Sequence, residues 1–119
     1  MSEPVKLRPT DLRDAPWEEV YPGVRRQTVG AARMTMTRYV FAPGGRFPTH
    51  RHDQEQLTLV VDGELELTVG ERVVRLHSEQ LLVIAPDVPH QAVGGPGGAT
   101  VVSVVAPARR GPTDYVVEC

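Results

Sequence analysis

The stretch QLTLVVDGELELTV, residues 56–69, decides the class of fold. Two short runs rich in Val, Leu and Thr flank Asp62-Gly63, a dipeptide typical of tight hairpin turns. In the second run polar and apolar residues alternate strictly, which predicts a half-buried strand. We therefore expect two antiparallel strands joined at this dipeptide. The side chains of the second strand that should face the core are Leu65, Leu67 and Val69.

The rest of the chain repeats this pattern. Its 11 glycines and 11 prolines fall in clusters that separate short β-rich runs. Turn signals at roughly 8–12-residue spacing are typical of an antiparallel sandwich or barrel. We find no convincing helical period, so we predict an all-β domain with a further tight turn at Gly70-Glu71. The predicted strands are 33–41, 56–61, 64–69, 72–76, 81–84, 90–93, 100–105 and 115–117.

The 119 residues suffice for one domain. We divide them into an N-terminal arm, residues 1–22, a β-barrel, residues 23–110, and a C-terminal tail, residues 111–119. The arm carries the single tryptophan, Trp17, which we expect to hold it against the barrel. The strand 56–61 is apolar on both faces. We therefore expect a second copy of the chain to cover it and form a homodimer.

Composition excludes several classes of partner. The net charge is −2 and the basic residues form only doublets, so we expect no nucleic acid. The longest aliphatic run is five residues, far short of the ~20 that cross a bilayer, and no apolar signal segment begins the chain. The single cysteine, Cys119, fits a reducing compartment. We expect a cytoplasmic protein without a membrane partner.

Three of the four histidines are candidate metal ligands. His50 and His52 are two residues apart, so on an extended chain both point to one face, about 6.6 Å apart. Two imidazoles at that spacing reach one divalent ion at ~2.0–2.1 Å. Alternation from His52 selects Gln56 as a further ligand, whereas a bulge at residues 53–54 would select Glu55.

The third histidine candidate is His90. It follows Pro86-Asp87-Val88-Pro89, in which the two prolines fix the backbone. The remaining histidine, His77, lies at a predicted turn without a partner, and we interpret it as a surface residue.

These residues carry a resemblance to the cupins. Gly45, His50-x-His52, Gln56 and Gly63 resemble the first cupin motif in its variant with Gln, and residues 84–90 (IAPDVPH) resemble the second. Ser78-Glu79 and Ala85 depart from the usual turn residues. The resemblance spans about residues 17–109 and implies a jelly-roll barrel, a double-stranded β-helix.

The sequence is more specifically similar to the small cupins that linearise unsaturated uronates in pectin and alginate breakdown. That resemblance implies a metal held by His50, His52, Gln56 and His90, and Arg109 on the substrate side. Ser103 stands where that family has an acidic residue important for catalysis, and a serine hydroxyl is no general base near pH 7 without help. The segments that carry the resemblance are residues 17–20, 23–26, 50–56, 88–90 and 107–109.

Four neutral ligands would leave a divalent ion its full charge, which favours an anionic metabolite. Imidazole suits Ni, Zn, Fe and Co, and an open octahedral site also accepts Mn. We expect a largely apolar pocket with Arg109 pairing a substrate carboxylate. Besides Arg109 and Ser103, the expected lining residues are Thr58, Val60, Val101, Val105 and Tyr39.

Three functions fit these residues. The first is a metal-assisted isomerase, lyase or cyclase acting on a small anionic substrate such as an unsaturated uronate or a keto acid. The second is a cupin dioxygenase that uses O₂. The third is a non-catalytic barrel that binds a small molecule.

Overall fold

A computed structural model describes residues 7–118 as a curled antiparallel sheet. Apart from one 3₁₀ turn, Leu12–Asp14, no helix is present among these residues. The nine strands are β1 (Glu18–Tyr21), β2 (Val24–Gly30), β3 (Thr35–Phe41), β4 (Arg46–Arg51), β5 (Glu55–Val69), β6 (Arg72–His77), β7 (Leu81–Ile84), β8 (His90–Ala106) and β9 (Val116–Val117).

Two long strands, β5 and β8, organise the jelly roll. They pair with each other along most of their length. The first half of β8 also pairs with β4, and its second half pairs with β3. One long pair of strands thus belongs to both walls of the barrel, and the predicted all-β jelly roll is confirmed. The path of paired strands is β1-β2-β3-β8-β4-β9, with β6 and β7 both on β5.

The predicted hairpin at Asp62-Gly63 is wrong. β5 runs straight through this dipeptide, and the pairing with β8 shifts register on both sides of it. Gly63 adopts φ +83°, and a Cβ there would lie 2.2 Å from the carbonyl oxygen of Gly98. The glycine therefore forms a bulge where two backbones meet closely, instead of reversing the chain.

The other strand predictions are partly confirmed. Residues 81–84 form β7 as predicted, and the turn at Gly70-Glu71 is confirmed because Val69 pairs with Arg72. The runs 90–93 and 100–105 are parts of the single strand β8. Three strands were not predicted: β1, β2 and β4.

The predicted core face of β5 is confirmed. Leu65 and Leu67 are each 1% exposed, and Val69 packs against the same core. On the other face Leu57 and Val61 remain 38% and 48% exposed, so the described chain covers only one side of this strand. A homodimer that covers the second side remains a prediction.

The segments on either side of the barrel join its sheet. Residues 18–21 of the predicted arm pair with β2, and residues 116–117 of the predicted tail pair with β4. Trp17 lies beneath two guanidinium groups, with the Cζ atoms of Arg25 and Arg38 at 4.6 and 5.4 Å from the ring centroid. Within residues 7–118 no helix has the length and apolarity to cross a membrane. Cys119 lies outside the described residues.

Candidate metal centre

Three histidines converge inside the barrel. His50 lies near the end of β4 and pairs in register with His90, the first residue of β8, while His52 follows β4 directly. One ring nitrogen from each lies within 4.8 Å of the others, and all three side chains are buried. The two predicted histidine segments therefore meet at one point.

Backbone carbonyls fix the tautomer of each ring. Nδ1 of His50 lies 2.8 Å from the carbonyl oxygen of Pro48, and Nδ1 of His90 lies 2.9 Å from that of Val88. Nδ1 of His52 contacts the carbonyl of Gln54 at 3.1 Å. A carbonyl oxygen only accepts, so each Nδ1 donates its proton and each Nε2 keeps a lone pair.

The local environment keeps the rings of His50 and His90 neutral. Burial, followed by the charge of neighbouring His90, lowers the pKa of His50 from 6.5 to about 3. Burial likewise lowers the pKa of His90 to about 4. Among residues 7–118, the buried Nε2 of His90 has no hydrogen-bond partner. Imidazole nitrogens that converge in this way are the donor set that a divalent transition metal needs.

Gln56 lies beside the three histidines. Its side chain is buried whereas Glu55 is exposed, which is the outcome that strand alternation predicted. The amide nitrogen donates to Thr58 Oγ1 at 2.9 Å, and the amide oxygen lies 2.9 Å from Nε2 of His52. When the His52 proton is on Nδ1, the lone pair of His52 Nε2 faces a lone pair of the Gln56 amide oxygen. Two ligands at ~2.1 Å and a right angle on one ion would be about 3.0 Å apart, so the observed separation fits two candidate ligands of one cation.

A pocket of about 380 Å³, including its part open to solvent, adjoins these ligands. Five predicted lining residues lie on its wall, namely Tyr39, Thr58, Val101, Ser103 and Arg109. Val60 and Val105 do not. Val60 belongs to the hydrophobic core, and Val105 is buried between the positions of Thr35 and Gln56 on the adjacent strands. Aromatic and aliphatic side chains form most of the remaining wall.

Arg109 is the cation of this pocket. Its backbone N–H donates to Thr35 Oγ1 at 2.9 Å, and its guanidinium lies over the ring of Tyr115, with Cζ 5.7 Å from the centroid. Its buried Nε has no hydrogen-bond partner within the described chain. The lining that the structure describes contains neither Asp nor Glu. The pocket therefore presents positive charge without an internal counter-ion.

The C-terminal segment supports the site, and sequence analysis missed this role. The fully buried Gln54, whose carbonyl orients His52, donates through Nε2 to Asp114 at 2.9 Å. Arg110 donates to both Asp114 and Asp53, and its hydrogen bonds lower the pKa of Asp114 to about 2. These contacts join residues up to 60 positions apart, and the cupin motifs give no signal for them.

The aromatic contacts of this segment also went unpredicted. The ring of Tyr115 lies 5.3 Å from that of His50 and 5.4 Å from that of Phe47. Its hydroxyl is 3.2 Å from that of Tyr21. Burial raises the pKa of Tyr115 to about 12, so its hydroxyl stays protonated beside the histidines. His77, by contrast, is exposed and lies outside the site, 3.7 Å from the carboxylate of Glu64.

A jelly-roll barrel with imidazoles clustered in its interior defines the class of small metal-binding barrel domains. A family model described as the cupin domain matches residues 37–105, and the chain belongs to the cupin family. The search of curated proteins finds no match.

Solved structures agree with this assignment. An RmlC-like cupin from Shewanella frigidimarina superposes with a TM-score of 0.78 and 25% identity, over 85% of this chain and 91% of that one. KdgF from Halomonas sp. gives 0.76 and 23% identity, over 82% and 91%. Bacillus subtilis oxalate decarboxylase gives 0.87 at 12% identity, with 98% of this chain covering 33% of that one. At 23% and 12% identity, KdgF and oxalate decarboxylase show a similarity of fold alone.

Proposed function

We propose that this cupin is a metal-dependent enzyme of the isomerase, lyase or cyclase type that acts on a small carboxylic acid. The observation that carries the proposal is one pocket with two features. His50 and His90, two histidines of the three-histidine cluster, line it, and Arg109 offers a guanidinium with no acidic partner on the described wall. The sequence resemblance favours an unsaturated uronate as the acid, with a keto acid as the simpler case.

The residues of the pocket have distinct roles in the proposed reaction. Arg109 binds the substrate carboxylate through its planar fork of N–H donors. Phe47, Leu65 and Val101 form an apolar wall that excludes water around the bound acid. The imidazoles and Gln56 would hold a divalent ion. Such an ion, when bound, supplies a Lewis acid for negative charge that develops on a substrate oxygen.

Proton movement in this pocket depends on hydroxyl groups. The described wall has no carboxylate, and neutral Ser103 cannot remove a proton near pH 7 unaided. The O–H groups of Ser103 and Tyr39 can donate a hydrogen bond to a substrate oxygen and relay a proton to it. This arrangement suits a substrate whose proton transfer needs little help from a strong base.

Elemental analysis of the purified protein tests the first part of the proposal. We expect about one divalent transition metal per chain in the wild type and in His77→Ala, the matched control at the exposed histidine. His50→Ala and His90→Ala should lose the metal while their circular dichroism spectra stay those of a β-protein. Retention of the metal in both variants would refute this ligand set.

A turnover assay tests the second part. The metal-loaded protein should remove the ultraviolet absorbance of the conjugated 4,5-alkene in an unsaturated uronate, and Arg109→Gln should raise KM for that acid. An oxygen electrode run alongside should show no O₂ uptake. Uptake in proportion to turnover would assign the protein to the cupin dioxygenases. Absence of turnover with any uronate or keto acid, in protein that holds its metal, would leave a binding role.

A further inference from the structure

A second cavity lies beside the metal pocket, and we call it the outer cavity. The polar and aromatic residues of its wall are Trp17, Glu18, Arg26, Thr28, Thr35 and Arg109, with glycines and prolines between them. Its volume is about 1010 Å³ when the part open to solvent is included. Because Arg109 lines both cavities, the two are neighbours.

Arg26 is the most buried charge on this wall. It lies in β2, is 3% exposed, and occupies the position opposite Glu18 on one side and Tyr39 on the other. Its Nε donates to Glu18 Oε1 at 2.7 Å and its Nη2 donates to the carbonyl of Pro112 at 3.1 Å. Within residues 7–118 the third nitrogen, Nη1, is buried without a hydrogen-bond partner. The guanidinium also interacts with the side chain of Tyr39, the residue opposite it on β3. A charged donor with an N–H still unused gains by pairing with an oxyanion, which makes Arg26 a candidate contact for one.

Arg109 repeats this feature on the same wall. Its Nε is also buried and lacks a partner in the described chain. Glu18, the acid that the structure places on the wall, is already paired with Arg26. The guanidinium groups of Arg25 and Arg38 lie over the ring of Trp17, but neither of these arginines lines the cavity. The wall of the outer cavity therefore carries two guanidinium groups against one carboxylate, and guanidinium donors match the oxygens of carboxylates and phosphates.

We propose that the outer cavity binds an oxyanion group between Arg26 and Arg109, and that this group is the second acidic group of the substrate. The first acidic group would then face the metal pocket, with Arg109 between the two ends. A ligand that fills both sites is accordingly a dianion, either a dicarboxylic acid or a phosphorylated acid, whereas a simple uronate, with its single carboxylate, would fill only the first. This assignment of the ligand rests on the proposed function, whereas the oxyanion site itself does not depend on the metal.

Calorimetric titration of the metal-free protein with inorganic phosphate tests the oxyanion site. Arg26→Gln should weaken phosphate binding about tenfold or more, the effect of losing a charged hydrogen-bonding partner. Arg26→Lys should retain part of the affinity because it keeps the charge without the planar fork. Glu18→Gln should strengthen binding severalfold, since it removes the acid that competes for Arg26.

Arg75→Gln is the matched control. Arg75 also pairs with a glutamate, Glu66, but it is exposed and lines neither cavity. This variant should bind phosphate like the wild type. A melting curve for each variant separates lost binding from lost folding. If the wild type shows no saturable phosphate binding, or if both Arg26 variants bind as the wild type does, the oxyanion site is refuted.

Titration of the metal-loaded protein with acids of matched length tests the dianion. Glutarate should bind at least tenfold more tightly than butyrate, and Arg26→Gln should remove this difference. 3-Phosphonopropionate in place of glutarate shows whether carboxylate or phosphate is the better second group. Equal affinities for glutarate, 3-phosphonopropionate and butyrate would overturn the dianion. If the protein holds no metal, the proposed function fails, and the phosphate titration still decides the oxyanion site.

Discussion

Acid should destabilise the metal-free protein well above the pH at which carboxylates protonate. The pKa of His50 is about 3 and that of His90 about 4 in the folded chain, against 6.5 for an ordinary histidine. Below pH 6.5 His50 and His90 therefore each bind a proton in the unfolded chain but not in the folded chain. Stability is complete above pH 6.5 and is lost as the pH falls toward the folded pKa values.

The size of the effect follows from these shifts. Each pKa unit corresponds to about 1.4 kcal/mol, and pH 5 lies 1.5 units below the ordinary pKa of histidine. Each ring should thus remove about 2 kcal/mol of unfolding free energy between pH 7.5 and pH 5, and the two together at most about 4 kcal/mol. That is a large share of the roughly 5–15 kcal/mol that stabilises a typical domain.

Urea unfolding followed by circular dichroism, with chelator present, measures this loss at several pH values. The free energy of unfolding of the wild type should fall steadily from pH 6.5 to pH 5. The double variant His50→Gln, His90→Gln should lose most of this slope. Asp114, whose folded pKa is about 2, loses its contribution only below about pH 4 and does not disturb this window.

A bound metal ion should reduce the loss of unfolding free energy at low pH. A bound divalent ion requires the deprotonated rings, so saturating metal should move the loss of stability to lower pH. The reasoning is refuted if the metal-free wild type has the same unfolding free energy at pH 7 and pH 5. It is refuted equally if the double variant keeps the full slope, because the slope would then come from other groups.

Three further perturbations test the site and its surroundings. Asp114→Ala frees the loop that orients His52 and should weaken metal binding about tenfold in a chelator competition. Ser103→Asp places a carboxylate in the pocket and should raise uronate turnover, and an unchanged rate in protein that keeps its metal would argue for another substrate. Val83→Glu adds a charge to the exposed apolar face and should convert a dimer to a monomer in light scattering, whereas Val73→Glu, at a similarly exposed valine, should not.

Local sequence patterns were enough to predict which candidate ligands come together. His50 and His52 share a face because a strand alternates, and the same alternation separated buried Gln56 from exposed Glu55. The turn at Gly70 also followed from local signals. These predictions held because each depends only on residues a few positions apart.

Features that depend on contacts between residues far apart in the chain could not be predicted from the sequence. Asp62-Gly63 has the composition of a hairpin turn, but a glycine with positive φ serves a turn and a bulge equally well. Gly98, on the partner strand, decides between them because its backbone lies against Gly63. The bond from Gln54 to Asp114 likewise exists only after the chain has closed its barrel.

Charge balance connects the parts of the site. His50, His90 and the Gln56 amide are neutral, so neither they nor the described pocket wall offsets the charge of Arg109 or of a divalent ion. The same positive charge opposes protonation of the histidines, and Arg109 already contributes to their lowered pKa values. An acid that enters the pocket is therefore the group that neutralises it. By linkage, the ion and the acid should each strengthen binding of the other, which is what a metal-dependent enzyme for acidic substrates requires.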